Sequence, residues 1–190
     1  MLKHTFVILI LVCSLFPLSV SAAWQNDTLK INWLSWEEAV ALNEIKPRKI
    51  VMEVYTDWCI WCKRMDGQTL SKESIIKYIN ENYYAVKFDA EQRTEIKYGD
   101  KVYKFVKSGR TGYHELAAEL LKGRLTFPTI VFMDEKMEVI QSIAGFKTPM
   151  QFMQIITYFG ENRHQNTPFS MYKKSFVPPM TLIKNEDNDN

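Results

Sequence analysis

Two cysteines three positions apart, Cys59 and Cys62, stand where an apolar, β-branched stretch over 49–55 hands over to a helix-forming one. That junction limits the folds open to the chain. Cysteines at this spacing at a helix start face the same side, close enough to join through a small ring. The first lies where free backbone N–H groups and the helix dipole favour an anion, as an attacking thiolate requires. The second lies one turn deeper and suits a resolving thiol, the other part that disulfide exchange needs. Three other readings of the pair stay open. A purely structural disulfide over so short a span removes little unfolded-chain entropy and stabilises little. A zinc half-site needs two more ligands, and past the N-terminal leader the histidines are His114 and His164, far apart in sequence. Soft thiolates also hold Cu(I), and the nine methionines are scattered, apart from Met150 and Met153 at helix-packing spacing.

The N-terminus bears on the same question. Lys3 and His4 precede apolar runs over 6–12 and 15–20, which end in the small residues Ser21, Ala22 and Ala23. A positive start, a short apolar stretch and a small-residue exit make a secretory signal peptide over 1–22, cleaved near Ala22 or Ala23. The competing membrane anchor is disfavoured because the run is near the lower length for spanning and Pro17 interrupts it. Lipidation at Cys13 wants a small residue just before the cysteine, and Val12 is not small. The expectation is a periplasmic or secreted protein without stable membrane insertion. Cleavage then leaves Cys59 and Cys62 of the three cysteines, whereas a disulfide-stapled framework carries more, at wider spacing. An apolar share of 46% supplies a core, and a net charge of +2 without a basic cluster gives nucleic acid no footprint.

Along the chain, 31–34 suits a short strand. Ser35 and Glu38 form a capping box that opens a helix ending before Pro47. A buried strand is expected over 49–55, a helix from Cys59 towards Thr69, a second helix over 71–82 and a strand over 83–89. The stretch 92–106 is strand-like around Gly99-Asp100, a two-residue hairpin turn, and a loop with Gly109 and Gly112 follows. A helix over 114–122 stops at Gly123, and 129–133 pairs with 138–143 as an antiparallel hairpin. Thr148, Pro149 and Gln151 start a last helix that runs to about Gly160. The domain spans 23–163 and includes an insertion of about 91–125. A C-terminal extension over 164–190 ends in a polar stretch without the composition of a packed core. This order makes an α/β fold, a central mixed sheet flanked by helices.

The segment Glu53-Val54-Tyr55-Thr56-Asp57-Trp58-Cys59-Ile60-Trp61-Cys62-Lys63 resembles the strand-to-active-site segment of the thioredoxin family. Phe127-Pro128-Thr129-Ile130-Val131-Phe132 is similar to that family's second hallmark, a cis-proline loop entering a strand. The resemblance covers roughly 49–159. It is nearest to exported bacterial thioredoxin-like proteins with a Trp-Cys-x-Trp-Cys-Lys motif. It implies a thioredoxin fold with an inserted hairpin and helix before the cis-proline loop, and thiol–disulfide oxidoreductase activity on protein substrates.

The resemblance also assigns roles. Glu53 matches the buried acid that shuttles the proton of the second thiol, and Lys87 the lysine that pairs with it. Pro128 matches the cis-proline, with Phe127 before it, where backbone groups pair with the client chain. Trp58 and Trp61 supply an apolar rim. No metal or organic cofactor is implied; the partners are protein thiols and disulfides and a dithiol redox partner. Two departures stand out: Ile60-Trp61 replaces the Gly-Pro of thioredoxins proper, and the insertion is longer than the usual connection. A copper-binding or client-binding module without redox turnover is the alternative.

Overall fold

A computed structural model describes residues 29–179. The leader expected over 1–22 and the polar end of the extension lie outside the described residues. The chain runs β1 (Trp33–Leu34), α1 (Trp36–Ile45), β2 (Ile50–Tyr55), α2 (Ile60–Met65), a π-helical turn (Asp66–Leu70), α3 (Glu73–Asn82) and β3 (Tyr84–Asp89). Two hairpins follow, β4 (Ile96–Tyr98) with β5 (Lys101–Tyr103) and β6 (Phe105–Ser108) with β7 (Thr111–His114). The chain then continues through α4 (Glu115–Leu120), β8 (Thr129–Met133), β9 (Val139–Ala144), α5 (Pro149–Gly160), a 3-10 turn (Arg163–Gln165) and α6 (Phe169–Ser175).

The central sheet has the order β1-β3-β2-β8-β9. β2 lies parallel to β3 and antiparallel to β8, so its backbone is bonded on both sides. A strand in that position is buried on both faces, as the run Ile-Val-Met-Glu-Val-Tyr requires. Side chains alternate between the faces. Ile50, Met52 and Val54 join Val86, Phe88 and Val131 on the face covered by α1 and α4. Val51, Ala85, Ile130 and Phe132 point to the other, against α3, α5 and Met65 of α2. Glu53 shares the face of Val51, and Lys87 that of Ala85, and the parallel register sets Glu53 directly beside Lys87. Local sequence ties the helices down. Both predicted capping boxes form, Ser35 with Glu38 and Thr148 with Gln151, each typically stabilising by about 1 kcal/mol.

Three features differ from the expectation. The stretch read as a loop with Gly109 and Gly112 is a second hairpin, with Lys107 paired to Gly112 and Ser108 to Thr111. Its strands are short and lack an apolar alternation, so periodicity conceals them. Gly112 is there because the Phe105 ring crosses the hairpin: a Cβ at Gly112 would lie 2.1 Å from Phe105 Cζ and 2.5 Å from the Val106 carbonyl oxygen. The helix that follows the cysteines keeps α geometry only to Met65 and then widens into the π turn. Beyond 163 the extension includes a helix, α6, whose Tyr172 is buried with α5.

Candidate active site

From the end of β2, Thr56, Asp57 and Trp58 carry the chain over the sheet edge into α2. The Cys59 N–H donates to the Thr56 carbonyl at 3.1 Å. Cys59 takes the N-cap position, and its Sγ accepts the Cys62 N–H at 3.0 Å. The two residues form a disulfide, their Cα atoms 5.3 Å apart. Cys59 is 5% exposed and Cys62 2%. Joined sulfurs cover one another, so in this form Cys59 is nearly as buried as Cys62, which sequence sets one turn deeper.

Around the pair stands an aromatic rim. Trp58 and Trp61 are both exposed. Trp58 meets Phe127 edge-to-face at 6.1 Å, and its indole N–H donates to Glu91 Oε2 at 3.1 Å. Trp61 tilts against Phe146 at 5.9 Å, and the Arg64 guanidinium sits 5.3 and 5.4 Å from these two rings. Pairs of this kind hold large apolar surfaces in fixed orientation. Exposed aromatics gathered in one place mark a contact surface.

The Phe127–Pro128 bond is cis. Thr129 stands opposite Val54 in the β2–β8 register, which sets Pro128 level with the exit of β2 and beside the cysteine turn. The Pro128 carbonyl accepts the Gly145 N–H at 2.7 Å, and the Thr129 hydroxyl donates to the Thr126 carbonyl at 2.6 Å.

On the inner face the Glu53 side chain is wholly buried. Lys87 Nζ lies 3.3 Å from Glu53 Oε2, an ion contact outside hydrogen-bonding geometry, and neither Glu53 oxygen has a hydrogen-bond partner. Burial raises the Glu53 carboxyl to about 7; Lys87 opposes the rise and Asp66 adds to it. The hydrogen bonds of Lys87 go to Asp66, at 2.7 and 2.8 Å from its two carboxylate oxygens.

The structure thus brings together Cys59, Cys62, Trp58, Trp61, Phe127 and Pro128 at the sheet edge, and Glu53 with Lys87 beneath. Sequence reasoning missed Asp66. Its signal was available, four residues past Cys62 on the same helical face, but its partner Lys87 is 21 positions away. The inserted region reaches the rim through Glu91. A cleft of about 430 Å³ there is lined by the acids Asp57, Asp89 and Glu91 and by the bases Arg93, Lys107 and Arg110. Burial, then the charges of Asp57 and Glu91, push the Asp89 carboxyl up, against a hydrogen bond from the Glu91 N–H. His114 is tied to backbone at both nitrogens, accepting the Leu116 N–H at 3.3 Å and lying 3.0 Å from the Thr94 carbonyl. Among the described residues no three His, Cys, Asp or Glu side chains gather as a metal site.

Comparison with known proteins gives a consistent picture. The model of a thioredoxin-like domain matches residues 36–160. An uncharacterized protein of Caenorhabditis elegans is 30% identical over 80 residues, 42% of this chain and 11% of that one. Spermatogenesis-associated protein 20 of Mus musculus is 31% identical over 84 residues, 43% of this chain and 10% of the relative. The matched stretch is thus about a tenth of the length of these relatives. Among solved structures, a thioredoxin-fold protein from Helicobacter pylori superposes with a TM-score of 0.54 at 17% identity, covering 75% of this chain and 86% of that one. A thioredoxin from Thermus thermophilus gives 0.50 at 18% identity, covering 71% and 96%. At these identities the likeness is one of fold.

Proposed function

The chain belongs to the thioredoxin-like domain family, and from that premise we propose that it is an exported thiol–disulfide oxidoreductase acting on protein substrates. The observation that carries this reading is the Cys59–Cys62 disulfide at a helix start, above a buried Glu53 that meets Lys87 but accepts no hydrogen bond. In the reducing direction, the Cys59 thiolate attacks one sulfur of a client disulfide. The client S–S bond breaks, one client thiolate leaves, and a mixed disulfide to Cys59 forms. Cys62 gives its proton to the Glu53 carboxylate and attacks Cys59 Sγ. The second client thiolate departs, and the Cys59–Cys62 bond closes. Two electrons have passed from the pair to the client, and a dithiol protein returns them.

Binding is assigned to the rim. Phe127 and Pro128 offer backbone groups to an extended client strand, and Trp58 and Trp61 frame it. A carboxyl near 7 is suited to its task, since a general base works best with a proton affinity close to the working pH. Export rests on the leader over 1–22, and N-terminal mass analysis of secreted material tests it.

The reaction itself is tested by reduction of a model protein disulfide with dithiothreitol as electron donor. The parent is expected to turn over catalytically. Cys59→Ser abolishes turnover, and Cys62→Ser traps a covalent client adduct on Cys59. Undiminished rates in Cys59→Ser would overturn the reading.

A further inference from the structure

Lys87 is shared unequally between its two acids. An ammonium has three donors. The ammonium makes hydrogen bonds to both oxygens of Asp66, at 2.7 and 2.8 Å, and none to Glu53 at 3.3 Å. The rings of Tyr55 and Trp33, 5.3 and 5.4 Å from Nζ, flank it further. Exposure rises outward along this set: the Glu53 side chain is 0% exposed, Lys87 26% and Asp66 40%. Asp66 and Lys87 line an open cleft of about 410 Å³ together with Trp33 and Leu70. Asp66 opens the π turn that continues α2.

We propose that Asp66 is a positioning residue for the proton transfer assigned above to Glu53: it holds the Lys87 ammonium at the mouth of this cleft and keeps it from closing onto the buried carboxyl. The inference rests on the oxidoreductase reading and adds a residue to it. With Asp66 neutralised, the three donors of Lys87 have Glu53 as their nearest acid. A full, desolvated hydrogen bond then holds the carboxylate in its charged form and weakens it as a proton acceptor near neutral pH.

Few other charges face Glu53. Tyr55 lies on its own strand and couples to it. β8 sets Ile130 opposite and carries no ionisable side chain. α2 buries Cys62 and Met65, and α3 buries Ile75, Ile76 and Ile79. The buried set of α5 holds no charged residue.

The test is a carboxyl-carbon NMR titration of Glu53 in the oxidised protein, which needs no turnover. From about 7 in the parent, Asp66→Asn is expected to move the midpoint acidward by at least ~1 pH unit. Asp66→Glu restores it. In a Lys87→Met background, Asp66→Asn should produce less than about half of that movement, because most of its effect runs through the ammonium and only the direct influence of the Asp66 charge is left. An unmoved midpoint, or half or more of the movement persisting without Lys87, overturns the proposal. Absence of disulfide exchange in the parent overturns the oxidoreductase reading instead, so the two failures are told apart.

Discussion

A carboxyl without hydrogen bonds in the middle of a sheet is a costly residue, and Glu53 shows how the cost depends on pH. Its folded value of about 7 lies above the ordinary 4.5. Between these values the native state holds a proton that the unfolded chain releases, so stability falls as pH rises through this window. The contribution is fully present below about 4.5 and lost above about 7, a change on the order of 3 kcal/mol at ~1.4 kcal/mol per pH unit. Glu53→Gln cannot ionise. Urea melts at pH 5 and pH 8 should therefore show a fall for the parent that is absent in the variant. The same substitution should slow resolution by Cys62 and let mixed disulfide accumulate in rapid-quench samples. A parent whose stability is flat across the window would mean that Glu53 titrates normally.

Among the elements, those with strong local signals were legible from sequence and those defined by distant contacts were not. The strand over 49–55, both capping boxes, the Gly99-Asp100 turn and the junction at Cys59 follow from residues adjacent in the chain, whereas the burial of Glu53 came with the family resemblance, because its strand is apolar on both faces. The second hairpin escaped because Phe105 lies over a glycine, and Val106 and Tyr113 form no alternating apolar face with it. Asp66 escaped because nothing near it in sequence reveals its ion pair. The hairpin permits a direct check. In Gly112→Ala the new methyl displaces the Phe105 ring, and with it the contact between Arg93 and that ring at 4.7 Å. A loss of roughly 1–3 kcal/mol is expected. Hydrogen exchange should speed up in β6 and β7 and stay unchanged in β2 and β8. Uniform loss of protection would show that the hairpin is not an independent unit.

At the scale of the whole molecule, the C-terminal helix belongs to the fold. Phe169, Tyr172 and Phe176 recur at helical spacing, and Tyr172 donates its hydroxyl hydrogen to Thr157 Oγ1 at 2.8 Å inside the cluster formed with α5. Tyr172→Phe should cost about 1 kcal/mol through the lost hydrogen bond, and Tyr172→Ala about 3–5 kcal/mol through the cavity. Denaturant midpoints measure both, and a neutral Tyr172→Ala would mean that α6 does not dock in solution. The double bonding of β2 bears on how such a protein changes over time. Its acid is anchored by neighbours on both flanks, so moving it means dismantling the sheet. The counter-charge at the cleft mouth is partly exposed and answers to one side chain at the start of a turn. Selection for a different working pH therefore has a route through surface substitutions, and the catalytic temper of the molecule is heritable separately from its architecture.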